Sequence, residues 1–103
     1  MQYIRRHIMG LSEIREKIDE LDCEMKKLFL KRMGLAEQVA LIKAENGAAI
    51  YVPEREQEIV EKQTGDVPQE YRKVYTAFIK EVMALSRMVQ EEKMASLENK
   101  KGD

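Results

Sequence analysis

The sequence has little with which to carry out redox, metal or nucleophilic chemistry. Its 103 residues contain one cysteine, Cys23, and one histidine, His7. A single cysteine cannot close an internal disulfide, which suits a reducing cytoplasm. Cys23 has no histidine beside it and reads as a small side chain on a helix. His7 lies in the unpatterned lead "MQYIRRHIMG", so neither a histidine metal site nor a Ser–His–Asp arrangement is expected. No apolar run is long enough to span a bilayer, and no signal-peptide core is present. The net charge of −1 gives no global field that would draw in nucleic acid or an anionic membrane. The expectations are therefore no cofactor, no metal, no nucleic acid, no membrane and a cytoplasmic location.

Breakers are also scarce, and where they fall sets the organisation. There are two prolines, five glycines and no tryptophan, while 36% of residues are charged, a composition suited to exposed helical faces. Three helices and no strands are predicted. The first runs roughly from Leu11 to Glu45 and ends at "ENG", where Gly47 suits a left-handed cap. After "AAIYV", Pro53 opens a short second helix with Glu54 and Glu56 near its N-terminus; it stops near Gln63. A third helix starts at about Pro68 and runs to the mid-90s. Residues 1–10 are read as a lead, with Met9 a second candidate start, 11–97 as one helical domain, and 98–103 as a fraying tail.

Leu11, Ile14, Ile18, Leu21, Met25, Leu28, Leu35, Val39 and Ile42 recur at steps of three and four, the seam of an amphipathic helix. A helix of about 35 residues is about 50 Å long, whereas a compact domain of this size has a radius of gyration of about 13 Å. The helix would overshoot its own globule, and pairing with a second copy would cover the seam. The expected fold is all-α, with one long, one short and one long helix per chain in an intertwined helical homodimer.

The rhythm requires a seam residue at position 32, and the sequence puts Arg32 there. A buried guanidinium needs an anion, either a glutamate from another helix or an anionic ligand. Arg15 and Lys43 flank the same stripe. Lys43 follows Arg32 by eleven residues, about 20° around the axis and about 16 Å along it, so both side chains can converge on one small molecule. Arg15 is about 25 Å from Arg32, within reach only from an antiparallel partner chain. Arg55 and Glu56 sit in the first turn of the second helix, where solvation and dipole complementarity would also account for them. The third helix carries an apolar stripe, Tyr71, Tyr75, Phe78, Val82, Leu85 and Val89. Beside it runs a second line, Ile79, Met83, Ser86 and Gln90, whose last two members are neutral hydrogen-bonding groups one turn apart.

These residues resemble the all-helical chorismate mutase family over roughly residues 11–90. "LSEIREKIDELD" is similar to that family's L-x-x-[LI]-R-x-x-I-D-x-[LI]-D, "LFLKRMGLAEQVALIK" to its L-x-x-x-R-x-x-L-A-x-x-V-x-x-x-K, and "IYVPERE" to its V-x-D-P-x-R-E. The resemblance implies rearrangement of chorismate to prephenate, on the route to phenylalanine and tyrosine, by a dimer whose two sites each borrow an arginine from the other chain. It implies Arg15 as the borrowed group on one carboxylate and Arg32 on the other. Lys43 would reach the ether oxygen and a carboxylate, and Glu56 would accept from the ring hydroxyl with Arg55 close by. Ser86 and Gln90 match its S-x-x-x-Q, at the ring carboxylate and the ether oxygen. A register one turn earlier would use Val82 and Ser86; Ser86 and Gln90 are preferred because Val82 belongs to the apolar stripe. Such a Claisen rearrangement needs a compact conformer and stabilised charge on the ether oxygen, with no nucleophile or proton shuttle.

Val52 stands where the family often has Asp, and is expected to act through its backbone. That absence also resembles the isochorismate–pyruvate lyases of the same fold, the nearest alternative, whereas Glu56 favours the mutase. A non-catalytic helical dimer, with Arg32 paired to a protein carboxylate, is the alternative from another class.

Overall fold

The computed structural model describes residues 10–102, with side chains to residue 100; His7 and most of the N-terminal lead lie outside the described residues. Three helices are present and, among the described residues, no strand: α1 (Leu11–Asn46), α2 (Pro53–Thr64) and α3 (Gln69–Gly102). The order long, short, long is the one predicted. The start of α1 is set by the Gly10 carbonyl, which accepts from the Ile14 N–H at 3.1 Å. Its end is set by Gly47, at φ +66°, a conformation that costs a residue with a Cβ about 1–2 kcal/mol. The Ala48 N–H then reaches back to the Lys43 carbonyl at 2.9 Å, the long bond of a Schellman cap.

Pro53 opens α2, and the amides of Arg55 and Glu56 both donate to the Val52 carbonyl at 3.1 Å. Val52 holds the N-cap position with extended dihedrals and no side-chain hydrogen bond, since valine has no acceptor to offer. The turn into α3 is tied by Val67 N–H to Thr64 C=O and by the Arg72 guanidinium to Val67 C=O. Helix α3 continues to Gly102, through residues expected to fray. Its last turns are rich in Glu, Lys, Ala and Leu, all good helix formers, and hold no proline.

The chain divides into two compact units, one ending at Arg32 and one beginning at Met33. In the first, the described residues are exposed except Phe29 and Arg32, which are half-buried. The second has a small core: Met33, Ala36 and Ala40 from α1, and Ile79, Val82 and Met83 from α3, with Ser86 and Gln90 buried among them. No residue of α2 is fully buried.

The seam of α1, which a second copy is expected to cover, is open along its length in the single chain: Leu21 is 62% exposed, Leu28 64%, Leu35 59% and Ile42 57%. The residues of α1 that go inside are Met33, Ala36 and Ala40, a neighbouring line of smaller side chains that hydrophobicity alone ranks below the leucines. On α3 the predicted apolar stripe is only partly internal, with Tyr71 and Phe78 exposed. The line Ile79, Met83, Ser86 and Gln90, read from the sequence as its flank, is the buried one.

Candidate functional site

Lys43 occupies the last turn of α1, next along the line 33, 36, 40, and is half-buried. Its ammonium donates to the Ile50 carbonyl at 2.8 Å and to Gln90 Oε1 at 3.4 Å. The Schellman cap explains the first bond: by turning the chain at Gly47, it brings the link back to the helix end, where the Ile50 carbonyl meets Lys43. The second joins α1 to α3. Gln90 also donates from Nε2 to Ser86 Oγ at 3.3 Å, one turn earlier on the same helix. Ser86 and Gln90 are 8% and 7% exposed, and no buried side-chain polar atom among the described residues lacks a partner. The ammonium fixes which way the Gln90 amide faces: its oxygen is turned to Lys43, and one Nε2–H remains to donate elsewhere. A buried polar line of this kind is costly unless fully bonded, so it is held in one arrangement.

A second group lies beside the first. Arg87, immediately after Ser86, places Nη1 against both carboxylate oxygens of Glu56, joining α3 to α2. The pair is partly shielded, with side chains 29% and 23% exposed. The Arg87 guanidinium also lies over the ring of Tyr51, 5.0 Å from its centroid, a cation–π arrangement. The hydrogen bond to Glu56 raises the Arg87 pKa above its ordinary value, burial opposes it, and the charges of Glu56, Tyr51 and Glu91 add to it, so Arg87 stays a cation across the neutral range. Adjacent residues thus tie the two groups together: Ile50 and Tyr51 in the link, Ser86 and Arg87 on α3. Tyr51, Glu56 and Arg87 also line an open cleft of about 430 Å³, with Val60, Lys80 and Met83. Lys43, Ser86 and Gln90 are not in its walls.

Of the residues singled out from the sequence, Lys43, Ser86 and Gln90 are brought together. Glu56 is in place on α2 but already holds Arg87, a partner the sequence reading missed. The signal for it was present, because residue 87 directly follows the internal Ser86 and α2 is the neighbouring helix. Arg55 points to Glu58 of its own helix at 2.8 Å, an exposed pair of the kind that contributes little. Val52 is exposed, and its carbonyl starts α2. Arg15 and Arg32 belong to the first unit; Arg15 is exposed and Arg32 half-buried.

Comparison with known proteins decides the family. The family model described as chorismate mutase type II matches residues 14–91. The chain belongs to that family. Among the curated relatives of this type II chain, the chorismate mutase of Methanocaldococcus jannaschii is 47% identical over 55 residues, 53% of this chain and 56% of that protein. The bifunctional chorismate mutase/prephenate dehydratase of Aquifex aeolicus is 44% identical over 52 residues, 50% of this chain and 14% of its own length. The T-protein of Haemophilus influenzae is 48% identical over 47 residues, 46% of this chain and 12% of its own. The chain thus spans little more than half of one of these relatives and a small part of the other two. No solved structure matches the chain significantly. Among the described residues, no helix is long and apolar enough to cross a membrane.

Proposed function

We propose that this chain catalyses the rearrangement of chorismate to prephenate, and that it does so as an intertwined homodimer in the cytoplasm. Family membership over residues 14–91 supports the reaction class. The observation that carries the reading is the bonded line Lys43–Gln90–Ser86, a half-buried cation joined to two neutral hydrogen-bonding groups buried in a small core. A purely structural interior of this size would be better filled with apolar side chains.

The reaction is an isomerisation in which one carbon–carbon bond forms as the ether carbon–oxygen bond breaks, with no group gained or lost. The protein has two tasks: to hold the dicarboxylate in a compact chair-like conformer, and to meet the negative charge that grows on the ether oxygen. In this reading Lys43 and the free Nε2–H of Gln90 address that oxygen. Ser86 serves the ring carboxylate, Arg32 takes one carboxylate of the substrate, and Arg15 of a second copy takes the other. Glu56 accepts from the ring hydroxyl, Arg55 stands close by, and Val52 contributes its backbone. A millionfold acceleration requires about 8 kcal/mol, a scale that preorganised cations and donors supply. The second copy is supported by the open seam of α1, where nine apolar positions from Leu11 to Ile42 stand in solvent in the single chain.

Side-by-side assays with chorismate and isochorismate test the substrate. Chorismate is expected to be consumed with an equal yield of prephenate; a dominant release of pyruvate from isochorismate would replace the mutase reading with the lyase one. Arg32→Ala is expected to lower kcat/KM by ~10²-fold or more while leaving a folded dimer. Near-wild-type turnover in that variant would leave the non-catalytic helical dimer as the better account.

A further inference from the structure

The ion pair between Glu56 and Arg87 is not needed to build α2 or α3, each of which has its own turn bonds. It nevertheless joins them by side-chain hydrogen bonds, and its cation is fixed from three sides. Glu56 meets it through both oxygens, the Tyr51 ring lies beneath it, and its backbone neighbour Ser86 is anchored in the core. A guanidinium so held fixes in turn where the carboxylate it grips stands, since Nη1 meets both of its oxygens.

On the reading above, Glu56 must stand beside a dianionic substrate. A bare carboxylate there would repel the substrate, and a mobile one would not keep an oxygen aimed at a hydroxyl. We propose that Arg87 is a positioning residue: it cancels the charge of Glu56 toward the dianion and holds its carboxylate in the place from which it accepts the substrate hydroxyl. Each oxygen keeps a lone pair for that hydroxyl while bonded to Arg87. Arg87 itself makes no contact with substrate. Tyr51 acts one step further out, as the face on which the guanidinium rests.

The inference rests on the proposed mutase reaction and makes a prediction that a contact with substrate, or a merely structural pair, would not. In the wild-type background, Arg87→Ala leaves Glu56 uncompensated and raises KM by ~10-fold or more, with a smaller change in kcat. Arg87→Lys keeps the charge and recovers KM to within ~3-fold of wild type. In the Glu56→Gln background there is no charge left to cancel, so adding Arg87→Ala changes kcat/KM by less than ~3-fold. The double variant contains no unpaired buried charge, so this last comparison stands even if the single alanine variant fails to fold. A further ~10-fold fall in kcat/KM between Glu56→Gln and the double variant would overturn the proposal, because Arg87 would then be acting on substrate directly. A wild-type chain without chorismate turnover would instead remove the mutase reading on which the proposal rests.

Discussion

At the residue scale, the site depends on how few ways its polar side chains can be satisfied. Gln90 gives its oxygen to Lys43 and one N–H to Ser86, so a single N–H is free. Gln90→Leu keeps the volume and burial but removes that donor. It is expected to lower kcat by ~10²-fold with little change in the fold, measured by steady-state kinetics beside far-UV circular dichroism. Lys43→Met should do more. It removes the charge facing the proposed ether oxygen and also releases the Ile50 carbonyl and the Gln90 amide, so loss of turnover comes with ~1–2 kcal/mol of stability, read from urea unfolding. A variant that lost stability but kept its turnover would assign Lys43 to the loop rather than to the chemistry. These side chains were legible from the sequence as types and spacings. What was not legible was that the Lys43 line, and not the leucine seam beside it, faces the interior. Two stripes one residue apart differ by only about 100°, and choosing between them requires knowing where the neighbouring helices lie.

At the element scale, the caps decide how the link presents itself. Gly47 was identified from the sequence because only a residue without a Cβ is comfortable at positive φ, and it adopts φ +66°. Gly47→Ala is expected to cost about 1 kcal/mol, although an added Cβ would meet nothing within 4 Å, because the cost is one of backbone conformation. It should also loosen the Ile50 carbonyl on Lys43, so a fall in kcat/KM is expected alongside the lower urea midpoint. The opposite change is available at the start of α2. Val52 leaves the cap unfilled, and Val52→Asp supplies an acceptor and a favourable charge at a helix N-terminus, worth about 1 kcal/mol of added stability. An unchanged melting temperature would mean that Pro53 and the Val52 carbonyl already fix the turn. The helix boundaries themselves were readable to within a residue or two where Gly or Pro punctuates the chain, and failed at the C-terminus, where no such residue intervenes before Gly102.

At the scale of the whole molecule, the open question is what covers α1. Nine apolar side chains on one stripe, from Leu11 to Ile42, stand in solvent in the single chain, and burying each leucine is worth about 1.5–3 kcal/mol. The length and rhythm of α1 are the sequence's argument for the proposed second copy, since a long seam without an internal partner has few other outlets. A charge in the seam is therefore expected to separate two properties from the fold of residues 33–102. Leu21→Lys should shift sedimentation from dimer to monomer and abolish turnover together, because Arg15 would no longer reach the neighbouring site, while the helical signal of the chain persists in large part. Monomeric wild-type protein with full activity would contradict the shared site.

The central claim is that a half-buried lysine and a buried glutamine, with one arginine in the seam and one on its flank, hold a small dicarboxylate and speed its rearrangement without covalent chemistry. The most direct measurement is the progress curve of chorismate loss and prephenate gain with the purified chain. The account predicts equal and opposite curves, at a rate about a millionfold above the spontaneous one. Chorismate that decays in the presence of the protein no faster than in buffer would contradict it.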